Sequence, residues 1–135
     1  MSLLAFVAAC GGSDAGPSGP AQPTTPIAAY SLTLVDAKAL PVLMFSDTGY
    51  TVEVTSGTLA LTADLKFTGA VTSRETVDGN ISFYSDQMSG SWSRASGSTS
   101  ITLNPLGGAA QQAVWAGTKL TVTQSDGVYQ YTRLP

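Results

Sequence analysis

The chain has 135 residues, a formal net charge of −3 and no histidine. Its charged fraction of 11% is less than half of the roughly 25% that is usual in soluble domains, and its six Lys and Arg residues are scattered, so we expect no nucleic-acid partner. Because histidine is the usual general base and the commonest metal ligand, we also expect no enzyme, no metal site and no cofactor.

The first ten residues predict attachment to a membrane. The only cysteine, Cys10, directly follows a short apolar run and two alanines. This pattern resembles a bacterial lipobox, in which a peptidase cleaves before the cysteine and the thiol carries a diacylglycerol. No Lys or Arg precedes the run, so we interpret residues 1–10 as a truncated lipoprotein signal peptide with Cys10 as the lipidation site. The alternative is an apolar N-terminal strand with a buried thiol.

Residues 11–29 are rich in Gly, Pro and Ser and predict a disordered linker. Polyproline-like chain rises ~3.1 Å per residue, so the sixteen residues 11–26 can hold a domain about 50 Å from lipid headgroups. Gly11 stands after the cysteine in place of aspartate, which resembles Gram-negative lipoproteins that are sorted to the outer membrane. We therefore expect an outer-membrane lipoprotein that faces the periplasm or the cell surface and contacts the membrane through its N-terminal lipid anchor.

Residues 30–135 predict a single all-β domain. Apolar residues alternate with polar ones in short runs separated by turn residues, and these runs give about eight antiparallel strands. Asp78-Gly79 and Asp126-Gly127 predict tight hairpins over 71–86 and 118–133. An up-and-down meander of this kind buries its apolar face by closing into a small β-barrel, which also leaves no free edge.

One segment of this domain allows two interpretations. Residues 109–116 are helix-favouring in composition, and Gly117 is suited to end a helix. We prefer a strand, because Val114 and Trp115 directly precede the next strand and a meander needs a pairing partner at that point. A short helix remains the alternative.

Four segments carry a resemblance to a known type of protein. They are Leu32–Pro41, Ser56–Asp64, Gly90–Ser93 and Gly127–Arg133. Together they resemble uncharacterised bacterial lipoproteins with a lipocalin-like small β-barrel domain, over nearly the whole of residues 30–135. The resemblance implies a lipocalin-like barrel. Those proteins often have Asn-Gly where this chain has Asp36-Ala37, and a glycine where it has Leu65.

Candidate ligand-binding residues come from an apolar run and from inward-facing aromatic and basic residues. The run Leu40–Phe45 lies in the expected first connection, where it either covers the barrel mouth as a lid or plugs the barrel as core. If Arg94 and Arg133 point inward near a barrel end, each guanidinium can stack on an aromatic ring or hold a carboxylate of a ligand. The alternative is that both side chains lie in water. The candidate residues are Leu43, Met44, Phe45, Trp92, Arg94, Trp115, Tyr131 and Arg133.

The sequence thus predicts a lipid-anchored cell-envelope β-barrel that binds a small hydrophobic or amphipathic ligand in its interior, because many inward positions are small and leave room. The alternative is an envelope structural or protein-interaction module with a filled barrel and no ligand. Glu53 and Glu75 are the one carboxylate pair considered for glycoside hydrolysis, and we interpret them as solvated charges on strand faces.

Overall fold

The computed structural model describes residues 26–135, so Cys10 and most of the predicted linker lie outside the described residues. The described chain contains ten β-strands and no helix able to span a membrane. The strands are β1 Pro26–Val35, β2 Lys38–Ala39, β3 Val42–Asp47, β4 Tyr50–Thr62, β5 Lys66–Val77, β6 Asn80–Arg94, β7 Ser100–Pro105, β8 Gln111–Ala116, β9 Lys119–Gln124 and β10 Gly127–Arg133.

Eight of these strands close into an antiparallel barrel, as the sequence predicts. β4 to β10 pair consecutively, and β1 closes the ring because it pairs with β10 on one side and with β4 on the other. The segment 109–116 contains a strand, β8, and not a helix. β1 begins at Pro26, so residues 26–29, which the sequence analysis placed in the linker, belong to the barrel. They do so because they pair with residues 60–62 of β4 and complete the closure.

The two short strands arise where β1 and β4 separate. β1 pairs with β4 only between residues 26–31 and 58–62, after which β1 turns into β2 while the first half of β4 pairs with β3. The run Leu40–Phe45 is predicted to lie in the first connection, either as a lid over the barrel mouth or as a plug in the barrel core. Most of that run instead forms β3, because Val42 is buried and β4 offers it a pairing edge.

The barrel interior is filled by large side chains. Alternate residues of the closed strands point inward, as the two-residue period of a strand requires. Nine of the buried side chains are almost fully enclosed: Tyr30, Val35, Leu61, Phe67, Ile101, Leu103, Leu120, Val122 and Tyr131. Burial of an apolar side chain of this size stabilises the folded state by about 1.5–3 kcal/mol, so this packed interior is the main source of stability.

Part of the sheet projects beyond the closed barrel. β6 pairs with β5 along residues 80–91 but with β7 only along residues 90–94. We call the projecting part the sheet extension: β3 with residues 50–54 of β4, residues 73–77 of β5 and residues 80–88 of β6. Within the described chain, its outer strands β3 and β6 have no pairing partner on their far sides.

The turns agree with the prediction at Asp78-Gly79 and differ from it at Asp126-Gly127. Asp78 and Gly79 both have positive φ, as the predicted tight hairpin requires. The β9–β10 turn, in contrast, is made by Ser125 and Asp126, while Gly127 already pairs with Gln124.

Asp36, Ala37 and Leu65 have φ values of 49°, 63° and 61°. This chain therefore places L side chains in the left-handed conformation at these three positions.

We expect Ala37→Gly to stabilise the protein by about 1 kcal/mol, because glycine adopts a positive φ without the ~1–2 kcal/mol penalty of a Cβ. Urea unfolding measures the change. Ala39→Gly is the matched control: Ala39 lies two residues away in β2 and is also exposed, and glycine in a strand is expected to destabilise. If Ala37→Gly loses as much stability as Ala39→Gly, the backbone at Ala37 is not strained in the parent protein.

Candidate functional site

Large side chains occupy much of the barrel interior within the described residues. The small inward residues that suggested a hollow barrel are outweighed by tyrosine, tryptophan and phenylalanine side chains that meet at the centre. Among the cavities of the described chain, one lies at the barrel mouth, where buried inward-facing residues such as Val54 and Tyr129 help to line it, and another lies where β1 begins and β10 ends. Two further cavities lie along the strands β4 to β6.

The predicted lid residues do not cover the barrel mouth together. Leu43 and Phe45 are 53% and 50% exposed, and only Met44 packs against the core. Leu43 pairs with Glu53 and Phe45 with the adjacent Val52, so the two side chains point to opposite faces of the sheet extension. A β-bulge between them accommodates the extra residue.

Trp92, Trp115 and Arg94 meet at the other end of the barrel. Trp92 is buried, and its Nε1 donates a hydrogen bond to the Thr62 carbonyl oxygen at 3.1 Å. Its ring meets the Trp115 ring edge to face with centroids 6.4 Å apart. The Arg94 guanidinium lies 5.1 Å from the Trp115 ring centroid, which is the stacking that the sequence analysis left open, and Arg94 is nevertheless exposed.

Tyr131 and Arg133 lie near this same end but do not form a common binding surface with the tryptophans. Tyr131 is a core residue that is 1% exposed. Arg133 is exposed, pairs in register with Tyr30, and donates from Nη2 to the Ile27 carbonyl oxygen at 3.3 Å. The eight candidate residues therefore divide between the sheet extension, the core and the opposite end of the barrel, and do not form one site.

A cavity at the barrel mouth involves residues that the sequence analysis did not select. It has a volume of about 210 Å³ and lies between the sheet extension and the β9–β10 hairpin. Apolar and polar residues line it: Met44, Val52, Val54, Val71, Met88, Ser73, Asp86, Gln124, Asp126 and Tyr129. Strand alternation in the sequence places Asp86 and Met88 on the same face of β6 as Trp92. Their position at the barrel mouth, in contrast, depends on where β7 ends.

The polar side chains that line this mouth cavity differ in their hydrogen bonding. The Tyr129 hydroxyl donates to Asp126 Oδ2 at 2.9 Å. Burial, together with this hydrogen bond to a carboxylate, holds the pKa of Tyr129 far above its ordinary value. The buried Gln124 Nε2 has no hydrogen-bond partner within the described chain. The cavity thus offers carboxylates and an amide above a floor of methionine and valine side chains.

The sheet extension carries exposed apolar side chains on both faces. Leu43, Glu53, Arg74 and Phe83 lie in one row across the four strands. Arg74 forms an ion pair with Glu53 in the middle of the row, and Phe83 at its end is 65% exposed. Glu75 lies on the opposite face from Glu53, so these two carboxylates do not converge on one substrate.

Comparison of the chain with protein-family models, with curated proteins and with solved structures gives no match. No group of three or more potential metal ligands occurs within residues 26–135.

The buried tyrosines predict a loss of stability at high pH. Burial raises the pKa of Tyr131 to about 12, whereas an unfolded chain ionises its tyrosines near pH 10. Above pH 10 the unfolded state loses a proton that the folded state retains, so the contribution of Tyr131 to the free energy of unfolding is constant below pH 10 and falls between pH 10 and 12. Denaturant unfolding across this range should show a shallower fall for Tyr131→Phe. A fall as steep as that of the parent would contradict this assignment.

Proposed function

We propose that the protein is a lipid-anchored cell-envelope interaction module that binds an extended strand of a partner protein at the open edge of β6. The observation that carries the proposal is that β6 leaves nine residues, 80–88, without a neighbour on one side within the described chain. The packed barrel supports a binding role at the surface in preference to one in the interior. Lipid attachment at Cys10 enters the proposal from the sequence pattern.

The hydrogen-bonding direction along β6 supports this edge as a template. The Trp92 amide donates to the Leu65 carbonyl on the β5 side, whereas the Ser89 carbonyl accepts from the Leu106 amide on the β7 side, both at 2.9 Å. In an antiparallel strand these directions alternate from residue to residue. The odd-numbered residues Ile81, Phe83, Ser85 and Gln87 therefore direct their backbone N–H and C=O groups away from β5, where an added strand would pair.

The β6 edge also lacks the features by which proteins normally block such pairing. Residues 80–88 include no proline, no lysine and no bulge in their pairing with β5, and Asp86 is their only charge. The β3 edge, in contrast, is six residues long, is bulged between Leu43 and Phe45, and ends on Asp47. Of the two outer edges of the sheet extension, β6 is therefore the one suited to strand addition.

Exposed apolar side chains beside the edge supply the second half of a strand-binding site. Ile81, Phe83 and Tyr84 are 58%, 65% and 52% exposed. Main-chain pairing gives affinity in strand addition, while side-chain contacts at alternate positions give specificity. We expect a partner segment with apolar residues at alternate positions.

Site-specific photocrosslinking in the native host tests this proposal. With a benzophenone amino acid in place of Phe83, we expect a discrete covalent adduct whose partner is identified by mass spectrometry. Ser85→Lys in the same chain should reduce the adduct at least tenfold, because an edge lysine opposes strand pairing. Ser46→Lys, the same change on the exposed β3 edge, should leave it unchanged.

The same experiment can contradict the proposal in two ways. A benzophenone at Val114, which is 48% exposed on β8 of the barrel, should give no such adduct, so an equal yield there would show non-specific contact. Retention of the Phe83 adduct in Ser85→Lys would show that the edge does not bind. An adduct of twice the chain mass would identify the partner as a second copy of this chain.

A second candidate function, binding of a small amphipathic molecule, is favoured by the mouth cavity. Its methionine and valine floor suits a short alkyl chain, and its carboxylates Asp86 and Asp126 suit a cationic head group. We expect hexylamine, and not hexanoate, to shift the NMR methyl signals of Met44 and Met88. Asp126→Asn should weaken the hexylamine effect, whereas Asp47→Asn, outside the cavity, should not. Equal shifts with hexanoate would contradict the polarity of the site.

A further inference from the structure

We infer that the barrel end opposite the sheet extension is a membrane-facing surface that docks on anionic phospholipid headgroups. This surface, the basic end, is where β1, β5, β7 and β9 begin and where β4, β6, β8 and β10 end. The inference is independent of the strand-binding edge. Its meaning for orientation in the cell depends on the proposed lipid anchor.

Charge is strongly divided between the two ends of the described chain. The basic end carries four cations, Lys66, Arg94, Lys119 and Arg133, against one carboxylate, Asp64. The opposite end, including the sheet extension, carries two cations against seven carboxylates. These nine residues are Lys38 and Arg74, with Asp36, Asp47, Glu53, Glu75, Asp78, Asp86 and Asp126. A net negative chain thus presents one positive end, and an anionic surface attracts that end and repels the other.

The basic end also exposes apolar side chains among its cations. Ile27, Leu65 and Leu134 are 42%, 51% and 48% exposed. Ile27 and Leu134 line an open groove of about 500 Å³ together with Arg133. Cations that bind headgroup phosphates, next to aliphatic side chains that enter the headgroup layer, form the combination that interfacial membrane binding requires.

The direction of the chain agrees with this orientation. β1 begins at Pro26 in the basic end, so the segment that contains Cys10 joins the domain there. A lipid on Cys10 would hold this end near the bilayer and raise its effective concentration at the headgroups. The sheet extension, at the far end, would then point away from the membrane and remain accessible to a partner.

Vesicle cosedimentation tests the docking without the anchor. The full chain with Cys10→Ser, which cannot be acylated, is mixed with vesicles of equal parts phosphatidylglycerol and phosphatidylcholine, or of phosphatidylcholine alone. We expect binding to the anionic vesicles only, and its loss in 0.5 M NaCl, because each cation near an anionic surface contributes about fivefold to the affinity and salt screens that attraction.

Matched charge reversals at the two ends separate the basic end from general charge effects. Lys119→Glu should weaken binding to the anionic vesicles roughly tenfold or more. Lys38→Glu makes the same change in net charge at the acidic end and should alter binding less than about twofold. Equal losses in both variants, or equal binding to both types of vesicle, would overturn the inference.

Tryptophan emission gives a second, independent readout. The chain has two tryptophans, Trp92 and Trp115, and both lie in strand segments that end at the basic end. Anionic vesicles that carry a nitroxide quencher on the lipid headgroup should therefore reduce the emission when the protein docks. Binding without quenching would place the contact elsewhere on the molecule and overturn the inference. Absence of acylation at Cys10 in native protein would remove the anchor but would not alter these vesicle results.

Discussion

The double pairing of β1 is the constraint on which the rest of the structure depends. Its first half pairs with β4 and its second half with β10, so one strand closes the whole ring. Closure gives the apolar face of a single sheet an interior to fill, and it removes the edges within the closed ring, so that free edges remain in the sheet extension of the described chain. The packing of Tyr30, at the centre of this strand, against the other buried residues follows from that closure.

The same strand also explains why the barrel is not uniform along its length. Where β1 leaves β4, the first half of β4 pairs with β3 instead, and the long strands β5 and β6 continue beside it. β7 ends at Pro105, opposite Gly90. Proline has no N–H to continue a ladder, and beyond this point β6 has no neighbour on that side within residues 26–135. The sheet extension and its open edge therefore result from unequal strand lengths.

The two ends of the molecule differ in charge. Each end collects residues from several strands, because antiparallel strands begin and end there in turn. Residues that are distant in sequence, such as Lys66 and Arg133, come together at one end, while the carboxylates collect at the other. The proposed membrane-facing basic end and the proposed partner-binding sheet extension are separated by the length of the barrel. The two proposed contacts therefore do not compete, and the filled interior holds their relative positions.

The sequence alone determined the all-β class, the strand count of the barrel and the hairpin at Asp78-Gly79, because alternation and turn chemistry are local properties. It also contains, at Cys10, a pattern that resembles a lipobox and from which the lipid anchor is proposed. It did not place Leu43, Met44 and Phe45, since an apolar run is compatible with a lid, a core plug or an edge strand. Only the tertiary structure decided that the interior is filled, that β6 has an open edge and that the cations share one end. These features depend on which strands pair and where pairing stops, which is set by contacts between residues far apart in the chain.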